Sequence, residues 1–210
     1  MIELYAITDN PCPALPDLAP LTIVPVNGLA AVCMPAGEED FSADAFWRHE
    51  EVVEALMADR DVLPVRYGTR LDDESAVARA VKERRDELAA ALDHVRGAVE
   101  LSVRAMPTET RRAGPPAAEV SSGAEYLRLR TGADASRDHA ARALHEPLSG
   151  LARASVEGRP RPQELFRAAY LVERDAVESF AAAVARLQKA NTGLSILCTG
   201  PWPPYSFAER

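Results

Sequence analysis

The segment Gly193–Phe207 constrains the end of this chain more tightly than any other stretch. Leu194, Ile196 and Cys198 alternate with Ser195 and Thr199, the period-two pattern of a strand with one buried face. Gly200-Pro201 is expected to stop that strand. Pro201, Pro203 and Pro204 fix φ and withdraw three backbone donors, so neither a helix nor a central strand is expected to continue here. Trp202, Tyr205 and Phe207 stand among these prolines. A stiff segment bearing three rings loses little entropy when it packs. It reads either as a tail pinned across the last domain or as an aromatic knob offered to a partner. The first is expected, because ordered termini dock mostly on their own domain.

The rest of the chain limits the classes open to it. Its 210 residues suffice for one large domain or two small ones. No apolar run is long enough to span a bilayer, and the N-terminus Met-Ile-Glu-Leu-Tyr-Ala-Ile lacks a basic n-region, so a cytoplasmic protein is expected. A net charge of −8 without a basic cluster argues against nucleic acid as a partner. Cys12, Cys33 and Cys198 are too few and too scattered for a disulfide framework or a zinc site, and Cys33 and Cys198 read as small buried hydrophobes.

Taken in order, residues 2–7 alternate as a first strand, with Ile2, Leu4 and Ala6 on one face and Glu3 and Tyr5 on the other. Leu21–Val26 and Leu29–Met34 form a hairpin about Asn27-Gly28, a pair that tolerates positive φ. Pro25 puts its strand at an edge or a bulge, and such an edge is a candidate for docking by strand addition. Ser42 is the expected cap of a helix over 43–58, with Phe46, Val53, Leu56 and Met57 on its apolar face. Val62–Val65 is a short buried strand, Asp72 or Asp73 caps one or two helices over 75–95, and Val99–Val103 alternates as another strand. The order β-β-β-α-β-α-β predicts helices on one face of a mixed sheet, a ferredoxin-like α+β sandwich over 1–106.

Residues 107–121, rich in proline, read as a linker. Beyond it, 122–210 reads as a smaller, helix-rich α+β domain. A capping box at Ser122–Glu125 opens a helix whose seam is Tyr126, Leu127, Ala141, Leu144, Leu148 and Leu151. A turn is expected over 155–162, and 166–172 is ambiguous between strand and helix. An amphipathic helix through Val177, Phe180, Val184 and Leu187 ends near Asn191. The last strand and the aromatic tail then close this domain.

No P-loop, dinucleotide fingerprint, nucleophile elbow or metal-ligand cluster is present, so no catalytic, cofactor-binding or metal residue is assigned. His49 and Glu50 are adjacent on a helix, and adjacent helical positions do not face each other. Arg66 follows a buried strand; its guanidinium can tie down an internal carboxylate such as Glu50 or meet a ligand anion.

Four stretches resemble the gas vesicle protein F/L family: Trp47-Arg-His-Glu50, Val62-Leu-Pro-Val-Arg-Tyr-Gly-Thr69, Gly123-Ala-Glu-Tyr-Leu-Arg-Leu-Arg130 and Gly200-Pro-Trp-Pro-Pro-Tyr-Ser-Phe207. The second carries Tyr67 where the family commonly has Phe. The resemblance implies two α+β domains, a gas vesicle or cytoplasmic location, no enzymatic activity and no cofactor. It implies an accessory or minor structural protein that binds the major shell protein during vesicle assembly, together with other accessory proteins. Trp47, Glu50, Arg66, Tyr67, Trp202, Tyr205 and Phe207 are then the structural or interaction candidates. The alternative is a small-molecule-binding or enzymatic ferredoxin-like domain with His49, Glu50 and Arg66 lining a cleft.

Overall fold

In the computed structural model of the chain, residues 1–12, 14–16, 18, 20–36, 42–108 and 138–208 are described. The elements in order are β1 (Ile2–Asp9), β2 (Thr22–Val26), β3 (Leu29–Pro35), α1 (Ala43–Met57), β4 (Leu63–Pro64), β5 (Arg70–Leu71), α2 (Glu74–Glu83), α3 (Arg85–Val95) and β6 (Ala98–Pro107). A helix described over 138–149 (α4) follows. Then come β7 (Ala154–Glu157), β8 (Phe166–Glu173), a 3-10 turn at Arg174–Ala176, α5 (Val177–Ala190), β9 (Leu194–Trp202) and α6 (Tyr205–Ala208). The chain divides into two compact units, Met1–Glu100 with Trp202–Arg210, and Leu101–Pro201. The expected capping box at Ser122, the seam residues Tyr126 and Leu127, and most of the expected linker lie outside the described residues.

The first unit is built on the sheet β2-β3-β1-β4, with β5 also paired to β1. Every one of these pairings is antiparallel, so the expected mixed sheet does not form. Asn27 and Gly28 turn the β2–β3 hairpin with φ of 47° and 88°, the left-handed pair that a two-residue turn requires. The pair flanking such a turn, Val26 and Leu29, exchanges hydrogen bonds, so the next pair, Pro25 and Ala30, does not. The imino nitrogen of Pro25 therefore faces the outer edge of the sheet. It interrupts the row of donors there, which weakens the case for strand addition at β2. In β1 every residue from Glu3 to Thr8 is buried. The period-two pattern of residues 2–7 does not carry over into burial, because both faces of this central strand are covered.

Local capping signals set the helices. The Ser42 hydroxyl accepts from Ala45 N at 3.1 Å and opens α1, whose buried face is Ala45, His49, Val52, Val53, Leu56 and Met57. Phe46, expected on that face, is 38% exposed. The Asp73 carboxylate accepts from Ala76 N at 2.8 Å and caps α2. The helical run then restarts at Arg84, whose carbonyl accepts from Leu88 N at 2.9 Å in the first turn of α3.

The second unit carries the sheet β7-β8-β6-β9. Strand β6, expected in the ferredoxin-like sheet, pairs here because Leu101, Val103 and Ala105 enter this unit's core. That core gathers Leu144 and Leu148 of α4, Phe166 and Tyr170 of β8, and Phe180 and Val184 of α5. Leu151, placed on the seam by its spacing, lies past the helix end and is exposed. The expected turn at 155–162 begins as strand β7, four residues paired antiparallel to β8. The Gln188 amide accepts from Ile196 N and donates to the Leu194 carbonyl, both at 2.7 Å. It pairs with β9 as a neighbouring strand's peptide group would. Burial pushes the Cys33 thiol up to about 12 and the Cys198 thiol above its usual value, as inert buried thiols behave.

Candidate functional site

The first unit is organised about His49, which is fully buried on α1. Its Nε2 donates to the Val65 carbonyl at 2.9 Å, and Nδ1 lies 3.2 Å from Glu3 Oε1. Gly68 N donates to the same Glu3 oxygen at 3.2 Å, and the Arg70 guanidinium lies 3.6 Å from the other. Both carboxyl oxygens of Glu3 therefore face donors. The network ties β1, α1 and residues 65–70 together through polar groups.

An aromatic ladder rises from this polar centre. Tyr5 stacks on His49 at 4.5 Å between centroids, and Tyr67 meets the same ring edge-on at 5.6 Å. Phe46 packs edge-on to Tyr67 at 5.6 Å, and Trp47 edge-on to Phe46 at 5.4 Å. These spacings and tilts are the attractive range for rings. The ladder ends in solvent, with Trp47 66% exposed.

The tail packs on the first unit rather than across the second domain. The strand expected to stop at Gly200-Pro201 runs on to Trp202, and a helical turn follows at Tyr205–Ala208. Pro203 and Pro204 precede that turn, where a missing N–H costs nothing, so the expected ban on helix did not apply. The Tyr205 hydroxyl donates to Glu50 Oε1 at 3.0 Å. Burial and the Glu50 carboxylate hold that phenol well above its usual range. Ser206 donates to Glu100 twice, from N at 2.8 Å and from Oγ at 2.9 Å. Phe207 is buried, its ring 6.5 Å from that of His94. Trp202 remains 42% exposed.

Burial raises the Glu100 carboxyl above the usual glutamate value, and the two Ser206 donors only partly oppose it. A raised carboxyl holds its proton more tightly when folded. Its contribution to stability is therefore complete below the unfolded-state value and is lost as pH rises through the raised one. Unfolding midpoints of the wild type and Glu100→Gln, compared from acid to neutral pH, should accordingly diverge, the wild type losing ground as pH rises. Parallel pH profiles would contradict this.

The proposed His49, Glu50 and Arg66 cleft does not form. Arg66 is exposed and lines a cavity of about 360 Å³, whose lining includes neither His49 nor Glu50. His49 is spent on internal bonds and Glu50 holds Tyr205. Among the described residues, no group of three or more His, Cys, Asp or Glu side chains is placed to hold a metal ion. No described helix is long and apolar enough to cross a membrane. The sequence reading missed Glu3, Tyr5 and Phe46. The one local sign was a Glu-Leu-Tyr run inside an otherwise apolar strand.

Comparison with known proteins gives a consistent result. The family model described as gas vesicle synthesis protein GvpL/GvpF matches residues 3–209. The chain is 35% identical over 189 aligned positions to gas vesicle protein L of Streptomyces sp. (strain CB03234), covering 80% of this chain and 70% of that one. It is 29% identical to gas vesicle protein F of the same strain, over 98% of each chain. Its fold matches the crystal structure of gas vesicle protein GvpF from Anabaena sp. PCC7120, with a TM-score of 0.82 at 20% identity over 100% of this chain and 96% of that one. The GvpF crystal structure from Microcystis aeruginosa matches with a TM-score of 0.80 at 19% identity, over 100% and 99%.

Proposed function

The chain belongs to the GvpL/GvpF family of gas vesicle synthesis proteins, and from that premise we propose that it is an accessory or minor structural protein that binds the major shell subunit during vesicle assembly. The observation that supports a binding role is the exposed end of the aromatic ladder, where Trp47 stands in solvent on α1 with Phe46 packed behind it. A tryptophan two-thirds exposed on a well-anchored helix gains little for the fold and offers much to a partner. Interface anchors are enriched in Trp, Tyr and Arg. Arg48 and Arg66 flank these rings in sequence, beside Trp47 and Tyr67.

The ladder is rigid where it leaves the surface, because its base is held by the Glu3–His49 network. A partner's apolar side chains then meet rings that are already ordered, and little entropy is lost on binding. Co-expression of the full chain with the major shell subunit, followed by affinity purification, tests the reading. The wild type should retain the subunit. Trp47→Ala should lower the retained amount by about ten-fold while leaving the unfolding midpoint unchanged. Equal retention by Trp47→Ala and the wild type would remove the ladder from the contact.

A further inference from the structure

The cavity that Arg66 lines is a groove in the first unit, between the short strands β4 and β5 and the joint of α2 and α3. Leu4, Ile7, Leu63, Leu71, Val81 and Leu88 give it an apolar floor. Arg66, Arg70 and Arg84 line it too. A second cavity of about 310 Å³ shares Leu88 and Ala208 with the first and extends along α3 to His94 and Phe207. We infer that this groove seats an acidic amphipathic segment of a partner protein, with leucine-sized side chains on the floor and carboxylates on the arginines.

Charge carries the choice of occupant. The chain as a whole is at −8, yet three arginines line this one apolar depression. Arg70 is almost fully buried and its charge is answered by Glu3 at 3.6 Å, so Arg66 and Arg84 carry the contact. Arg84 pairs with Glu87 at 2.6 Å with both side chains about half exposed. Exposed pairs of this kind contribute little, so Arg84 exchanges Glu87 for a partner's carboxylate at small cost. A guanidinium fork accepts a carboxylate with two parallel bonds, which fixes the orientation of the incoming segment. A basic or purely apolar segment would offer these arginines no carboxylate in exchange for the ones they hold.

The inference rests on the shell-binding reading, and its experiment separates the two. The probe is the major shell subunit co-expressed with the full chain, in wild type, in Arg66→Glu/Arg84→Glu, and in Ala80→Trp, which fills the groove from its wall. Retention should fall by about ten-fold in both variants and fall in the wild type as salt is raised. Unfolding of the charge-reversed variant should stay at the wild-type midpoint, which keeps the result readable if Ala80→Trp folds poorly. Full retention by both variants, or retention indifferent to salt, overturns the groove and leaves shell binding intact. No retention by the wild type overturns shell binding and the groove with it.

Discussion

His49→Ala is expected to destabilise the first unit by about 3–5 kcal/mol, the combined cost of buried hydrogen-bond partners left unsatisfied and a large side chain truncated in the core. The substitution strips Glu3 of its nearest partner, leaves the Val65 carbonyl without the donor at 2.9 Å, and opens a cavity beneath the stacked Tyr5 ring. Each loss acts in a dry interior, where an unsatisfied polar group costs its full desolvation. Both tryptophans of the chain, Trp47 and Trp202, lie in the first unit, so fluorescence-monitored urea unfolding reads that unit. The midpoint should fall sharply with its slope unchanged. Glu3→Met combined with His49→Leu should not recover the loss, because it takes the carboxylate away from the buried Arg70 guanidinium and from Gly68 N–H. A midpoint shift below about 1 kcal/mol for His49→Ala would mean that the network is incidental to stability.

Phe207→Ala should cost about 3 kcal/mol, in the range for a buried phenylalanine truncated where the site cannot collapse. Phe207 is only 5% exposed, and the turn that carries it packs against α3 and β4. The distinguishing readout is where the loss falls. The tryptophan-fluorescence transition should move, while hydrogen exchange in α5 and β8 stays at the wild-type rate. Faster exchange in α5 and β8 would return the tail to the second unit, where its sequence neighbours lie.

The parts of this fold legible in the sequence are those decided within a few residues. Asn27-Gly28 fixes its hairpin because both residues must adopt positive φ, and Ser42 and Asp73 fix helix starts because their oxygens reach an amide three residues on. The strand over Phe166–Glu173 stayed ambiguous because a short apolar run fits both periods. The restart at Arg84 has neither glycine nor proline to announce it.

What was hidden depends on distant partners. Glu3 and His49 are 46 residues apart, and each looks like a surface group until the other is placed beside it. Tyr205 and Glu50 are 155 apart, which is why the tail was assigned to the domain that precedes it. Of the candidate residues, Trp47 and Tyr67 share one ladder through Phe46, and Glu50, Tyr205 and Phe207 serve the docked tail. Arg66 lines the groove, and Phe207 lines its extension along α3. The spacing along the chain held no sign of this division of roles.

The most direct test of the account is hydrogen exchange of the full chain, free and bound to the major shell subunit, read peptide by peptide. The account predicts slowed exchange on binding around Phe46–Arg48 and across 66–71, where the aromatic ladder and the groove rim reach the surface. Slowed exchange confined to residues 138–201, with α1 and the 66–71 loop unchanged, would contradict it.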